Sequence, residues 1–172
     1  MYQDVQIVDY LEIVNQKLAR GGVFLTTQNQ SKLNTMTIGW GGITHFWAKP
    51  IFIVPVRKSR YTYQLIDQAG EFTVSVPIEN NLSQQLRFCG TNSGRDIDKF
   101  AAAGLTILPG KLIQTPIIAQ CELHFECKTV YKQEMDPQHL DASINERWYP
   151  DYHTLYFGEI IACYRISVES SR

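Results

Sequence analysis

The sequence predicts a mainly β fold with short helices: an antiparallel, Greek-key-like barrel with helical decoration. Three observations carry that prediction. Apolar residues recur with period two over long stretches of the second half, the helical stretches are short, and strands do not alternate with helices in the βαβ rhythm of a parallel sheet. At 172 residues the chain is long enough for one well-packed domain spanning 1–172 and short for two. No repeat, low-complexity tract or linker divides it.

Taken in order, residues 9–19 place Leu11, Val14 and Leu18 on one helical face, with Asp9 as N-cap and Gly21-Gly22 as terminator. VFLTTQ (23–28) reads as a strand and NQSKLN (29–34) as the turn after it. Residues 35–47 are rich in Thr, Ile and Trp but carry Gly39, Gly41 and Gly42, which predicts one curved or bulged strand open to close approach. IFIVPV (51–56) is a continuous apolar run suited to a strand buried on both faces, with Pro55 confining it to an edge or bulge. RKSRYT (57–62) leads into a short helix around 62–68, and EFTVSV (71–76) alternates as a strand. Two short helices are expected at 82–88 and at 97–103, the second capped by Asp96 and closed by Gly104.

From 117 to 131 the odd positions include Ile117, Cys121, Leu123, Phe125 and Cys127, and the even ones Gln120, Glu122, His124, Glu126 and Lys128. This predicts a strand with one wet face, with His124 exposed and Glu122 and Glu126 serving as solubilising charge. Residues 154–166 form a last strand with a bulge at Gly158. The polar excursion 133–151 is long for a connection, and such segments are functional, partly helical or interface arms.

Composition narrows the function classes. An aromatic content of 12% suits barrel cores, dimer interfaces and walls of pockets for flat ligands. A formal net charge of −1 supplies no global field for nucleic acid or an anionic membrane, so any phosphate site must be local. The N-terminus lacks a secretory pattern, and no apolar run approaches the roughly 20 residues of a membrane-crossing helix. A soluble, cytoplasmic protein is expected. Cys89, Cys121, Cys127 and Cys163 form no CxxC pair and have no His at zinc-ligand spacing, so they read as buried free thiols of a reducing compartment. His45, His124, His139 and His153 are scattered, which leaves metal catalysis without a ligand cluster. The GxGxxG, GxxxxGK[ST] and GxSxG fingerprints are absent from the sequence.

Two segments could carry chemistry. Arg57-Lys58-Ser59-Arg60-Tyr61-Thr62 stands where a buried strand meets a helix. Its guanidinium forks, hydroxyls and helix-start N–H groups can grip phosphate oxygens. Alone, it reads at least as well as a solvated charged turn with Ser59 capping the helix. Asn34-Thr35-Met36-Thr37-Ile38-Gly39-Trp40 combines polar groups for the edge of a flat heterocycle with Met36 and Trp40 for its faces. Alone, it reads equally as a strand whose Thr residues express β-propensity and whose Trp is core.

Six stretches together resemble the flavin reductase-like, FMN-binding split-barrel family, near its flavoredoxin branch. They are NTMTIGWG (34–41), WAKP (47–50), PVRKSRYTYQLI (55–66), GEFTVSVP (70–77), CGTNSGRDIDKF (89–100) and HTLYFGEI (153–160), in family order and spanning roughly residues 20–165. The resemblance implies an antiparallel FMN-binding split β-barrel working as a homodimer. It implies Asn34, Thr35, Met36, Thr37 and Trp40 at the ring and ribityl chain, Arg57, Ser59, Arg60 and Thr62 at the phosphate, and Lys99 and His153 close to the flavin. The leading functional expectation is an oxidoreductase: an NAD(P)H-dependent flavin reductase in which a transiently docked NADH or NADPH gives hydride to flavin N5. The onward acceptor would be a redox protein or a monooxygenase. The alternatives are a flavoredoxin-type electron-transfer protein that keeps its FMN, and a non-catalytic barrel holding flavin or haem. The excursion 133–151 is the least family-like part of the chain.

Overall fold

The computed structural model describes residues 2–30 and 32–167. Along the chain run β1 (Tyr2–Asp4), a 3-10 turn (Ile7–Tyr10), α1 (Leu11–Ala19), β2 (Val23–Asn29), β3 (Lys32–Ile38), β4 (Gly42–Phe46) and β5 (Lys49–Arg57). Then follow α2 (Tyr61–Ala69), β6 (Glu71–Val76), α3 (Ser83–Thr91), α4 (Lys99–Ala103), β7 (Ile107–Leu108) and β8 (Ile117–Ile118). The last elements are β9 (Leu123–Glu134), a 3-10 turn (Pro137–His139), α5 (Ala142–Trp148) and β10 (His153–Ile166).

The strands pair antiparallel in the order β3-β2-β6-β9-β10-β5-β4, with β1 added to β10 and β7–β8 as a separate ribbon. Among the described residues the ladder ends at β3 and β4 without closing. The β5–α2–β6 connection passes over β10 and β9, the long jump that makes the topology Greek-key-like. Inward residues of these strands, among them Leu25, Met36, Val54, Phe72, Phe125 and Tyr156, form the main core, which Val14 and Leu18 of α1 help to cover. A smaller core around Phe24, Leu86 and Cys89 seats α3 and α4 against the sheet. Register slips between Phe157 and Gly158 on β10, as the glycine predicts. A Cβ on Gly158 would strike the Phe72 ring and Cys127, so the bulge also makes room for a core aromatic.

Several sequence expectations are corrected. Asp9 does not cap α1: it lies in the preceding 3-10 turn, and Tyr10 holds the cap position without a side-chain bond. Asn29 ends β2 and Lys32 to Asn34 belong to β3, which leaves Gln30 of the predicted 29–34 turn, in the left-handed region at φ 53°; Ser31 lies outside the described residues. The expected single strand over 35–47 is two strands, broken where Gly41 takes φ 117° against the Ile53 carbonyl. β5 is not buried on both faces, since Ile53 and Pro55 are half-buried. Pro55 does lie at a local edge, beyond the point where β4 stops pairing at Ile53. On β6 both faces are buried rather than alternating. Asp98, not Asp96, caps α4, accepting from the Phe100 and Ala101 N–H groups.

The largest correction concerns β9. Its polar face is dry as far as Glu126: Glu122 is 3% exposed and His124 and Glu126 are fully buried, while Lys128 beyond them is exposed as expected. The segment 105–118 folds over that face and presents backbone donors to it. Glu126 accepts from the N–H groups of Lys111, Leu112 (2.7 Å) and Ile113 (3.1 Å) and from the Tyr164 hydroxyl (2.6 Å). Glu122 accepts from Ile78, Glu79 and Asn80 N–H at 2.7, 3.3 and 3.1 Å. His124 bridges Ser75 and the Cys121 carbonyl at 3.0 and 2.9 Å, and burial pushes its pKa down to about 3, so it is neutral.

These carboxylates satisfy backbone donors that would otherwise be buried without partners. Glu126→Ala is expected to lower the unfolding free energy by about 3–5 kcal/mol, the scale of breaking a buried charged network. Urea unfolding followed by far-UV circular dichroism checks it; a loss under about 1 kcal/mol would make the contacts incidental.

Candidate functional site

The Asn34 amide donates to the Thr62 hydroxyl at 2.8 Å, which joins β3 to the first turn of α2 with both side chains buried. Between β5 and α2 the chain turns tightly, the Arg60 N–H bonding to the Arg57 carbonyl and the Tyr63 N–H to the Arg60 carbonyl, each at 3.0 Å. Arg60 holds the cap position in extended conformation, and no side chain caps the helix. The first N–H groups of α2 are thus left for an outside acceptor.

Two adjoining chambers open here. The first, about 230 Å³, is lined by Asn34, Met36, Arg57, Ser59, Arg60, Thr62 and Lys99, with Tyr61, the loop Thr91–Arg95 and Asp151. The second, about 340 Å³, is lined by Met36, Thr37, Trp40, Arg57, Arg60 and His153, with Ile38, Gly39 and Pro55. Met36, Arg57 and Arg60 belong to both, so the chambers form one cleft. Every residue expected at the site lines it except Thr35. That side chain turns into the protein, accepting from Thr26 at 3.0 Å and donating to the Leu25 carbonyl at 3.2 Å. Only its carbonyl serves the site, by accepting from Lys99 at 2.9 Å. The Thr37 hydroxyl is likewise committed, donating to the Leu86 carbonyl of α3 at 2.6 Å.

Carbonyl oxygens, not carboxylates, hold the cations of the first chamber. Arg60 donates to the Gly90 carbonyl (2.9 Å), Arg95 to the Ser59 carbonyl (3.2 Å), and Lys99 to the Thr35 and Cys89 carbonyls (2.9 and 2.8 Å). Arg57 donates to the Trp148 carbonyl (3.1 Å) and to His153 Nε2 (3.4 Å). The ion pairs among the described residues lie elsewhere; Lys58, for one, points away to Glu134 at 2.7 Å. Burial, reinforced by the charge of Arg60, lowers the Lys99 pKa to about 8. Burial, then Arg57, lowers that of His153 to about 4. Neutral His153 accepts from Arg57 at Nε2 and so presents Nδ1–H to the Tyr149 hydroxyl at 3.2 Å.

In two parts of this cleft sequence reasoning names no site residue. One is the loop Thr91–Arg95, where a Cβ on Gly94 would collide with the Asn34 side chain, so glycine lets the loop lie against β3. Its signal was present: small polar residues and glycine around an arginine make an anion-facing loop. The other is the return of the 133–151 excursion over the cleft. Trp148 at the end of α5 meets Trp40 edge-on with centroids 5.4 Å apart, Tyr149 lies under the Arg57 guanidinium, and Asp151 accepts from the Ser59 hydroxyl. No local pattern in the sequence announces these contacts.

Fold and cleft together define the class, a flavin reductase-like split barrel with a cationic cleft between β3, β5 and α2. The chain belongs to the family described as flavin reductase like domain, whose family model matches residues 15–171. An uncharacterized protein of Archaeoglobus fulgidus is 30% identical over 157 residues, covering 91% of this chain and 75% of that protein. Flavoredoxin of Desulfovibrio vulgaris (Miyazaki F) matches with a TM-score of 0.66 and 28% identity, over 87% of this chain and 70% of its own. An FMN-binding domain of a flavin reductases-like enzyme from Shewanella baltica OS155 shares the fold at 20% identity and a TM-score of 0.66, over 96% and 77% of the two chains.

The pKa of His153, ordinarily 6.5, is depressed in the folded state, so protons bind the unfolded chain more readily. Its contribution to stability is present above pH 6.5 and lost as pH falls through about 4. Urea midpoints measured between those values should fall less steeply in His153→Asn than in the wild type; identical slopes would exclude the assignment.

Proposed function

We propose that the cleft binds FMN and that the chain is an oxidoreductase acting as a single flavin reductase-like unit, most simply an NAD(P)H-dependent flavin reductase. One observation carries the flavin part. Four cationic side chains, Arg57, Arg60, Arg95 and Lys99, line a chamber at the uncapped start of α2, and none is ion-paired among the described residues. Such a chamber suits a doubly charged phosphate. It continues into one bordered by Met36, Trp40, Pro55 and His153, whose soft and aromatic surfaces suit a flat ring. FMN is a phosphate and a flat ring joined by a short chain.

In this reading Arg57, Arg60, Lys99 and the α2 N–H groups hold the phosphate, with the Ser59 hydroxyl and the loop Thr91–Arg95 beside them. Asn34 and Thr62 keep β3 and α2 in register, and Trp40 and Met36 wall the ring side. Bound FMN would supply hydride acceptance and electron transfer, so the chain needs no acid–base dyad of its own. His153, neutral at pH 7, can donate no proton of an imidazolium there. The likeness to flavoredoxin supports a second reading, in which FMN stays bound and electrons pass to a redox protein. A homodimer and a cytoplasmic location belong to the same proposal; among the described residues no helix is long and apolar enough to cross a membrane.

The visible spectrum of the purified chain, followed by anaerobic addition of NADH or NADPH, separates these readings. Flavin bands that bleach within seconds support the reductase. A bound flavin that ignores nicotinamides and is reduced by a redox protein supports electron transfer. A colourless chain that takes up no added FMN overturns both. Arg60→Ala is expected to weaken FMN binding by about 1.5–3 kcal/mol, the scale of a lost charge-assisted contact, and to weaken riboflavin binding less. Because Lys99 loses its charge as pH rises through about 8, FMN affinity should fall between neutral and mildly alkaline pH. In Lys99→Met that decline should disappear; if it persists, another group causes it.

A further inference from the structure

We propose that Asp151 competes with the flavin phosphate for the Ser59 hydroxyl, and so sets the chain to take FMN as an exchangeable ligand instead of a permanently held one. This rests on the FMN reading above. The Ser59 hydroxyl has one proton, and it is donated to Asp151 Oδ2. A phosphate oxygen is an acceptor and requires the same proton, so the two contacts exclude each other. Asp151 also lines the chamber that Arg57, Arg60, Arg95 and Lys99 line, yet it is ion-paired with none of them among the described residues. A phosphate entering that chamber gains the cations but meets a carboxylate of its own sign.

The contact is not local turn chemistry. Asp136 and Asp141, earlier in the same excursion, each accept from an N–H two residues on, as capping residues do. Asp151 instead reaches across the fold to a residue of the β5–α2 turn. Its neighbours are engaged with the cleft as well: the Trp148 carbonyl accepts from Arg57, the Trp148 ring meets Trp40, and Tyr149 bonds to His153. Moving Asp151 off Ser59 therefore pulls on the segment that borders the ring chamber, linking phosphate entry to the position of residues 148–153. Asp151 acts here as a specificity-determining residue: it reduces what the phosphate adds to flavin affinity.

The test compares FMN with riboflavin, which lacks the phosphate. In Asp151→Asn and Asp151→Ala, FMN should bind more tightly and leave more slowly, and the ratio of FMN to riboflavin affinity should rise about tenfold. If Asp151 were only a latch for the excursion, both flavins would weaken together, and that result overturns the proposal. So does an FMN affinity unchanged in both variants. Hydrogen exchange on the unmodified chain supplies a check that needs no variant: FMN should raise exchange at the 149–152 amides relative to riboflavin, and equal exchange overturns the linkage. A wild-type chain that binds neither flavin overturns the FMN reading and this proposal with it. A wild type that binds FMN, with variants no tighter, overturns this proposal alone.

Discussion

Asn34 and Thr62 are almost wholly buried, and the bond between them converts two segments of sequence into one cleft. β3 is a terminal strand of the ladder, and its polar residues fasten it to the helices around it. Asn34 binds α2, the Thr35 carbonyl takes the ammonium of Lys99 at the start of α4, and Thr37 donates to the Leu86 carbonyl of α3. Each bond satisfies a group that burial would otherwise penalise, and each also fixes the distance between β3 and a cleft wall. A β-branched apolar residue in place of Asn34 or Thr37 would keep the strand and lose its tie to α2 or α3, whereas the Thr35 carbonyl would serve Lys99 whatever side chain it carried.

The cleft owes its electrostatics to what its cations do not touch. Carbonyl dipoles orient the guanidinium groups of Arg57, Arg60 and Arg95 without neutralising them, whereas Lys49, Lys58 and Lys132 on the outer surface have each found a carboxylate. Holding cations in a partly dry space costs free energy, and the low pKa of Lys99 records it, through burial first and the charge of Arg60 second. Sites for charged ligands commonly carry such a cost, because the ligand completes the charge balance. With a net charge of −1, the rest of the chain adds no long-range attraction.

Much of this was legible in the sequence. The strands expected at 23–28, 71–76 and 154–166 fall on β2, β6 and β10, the period-two stretch 117–131 contains the start of β9, and the Arg57–Thr62 and Asn34–Trp40 segments both line the cleft. What failed has physical causes. Alternation on β9 separates a polar face from an apolar one, but it does not say whether the polar face meets water or a covering segment. Glu122, His124 and Glu126 meet the backbone of other segments. Asp96 and Asp98 both precede a helix, and only the backbone decides between them: Ser93 already organises the turn through Arg95, so the cap falls to Asp98. Thr35 alternates with Asn34 and Met36 on a strand, so with those two facing the cleft its side chain is turned into the protein. The approach of Trp148 and Asp151 depends on a connection whose path has no local signature.

The four cysteines carry a further consequence. All are buried, burial pushes each thiol's pKa up, and for Cys163 the value reaches about 12. Peroxides and disulfides react with thiolates, and at neutral pH these residues expose almost none. Oxidation therefore has no easy entry through the cysteines of the folded chain. Thiol oxidation would begin only where the sheet opens, so its rate follows the rate of unfolding.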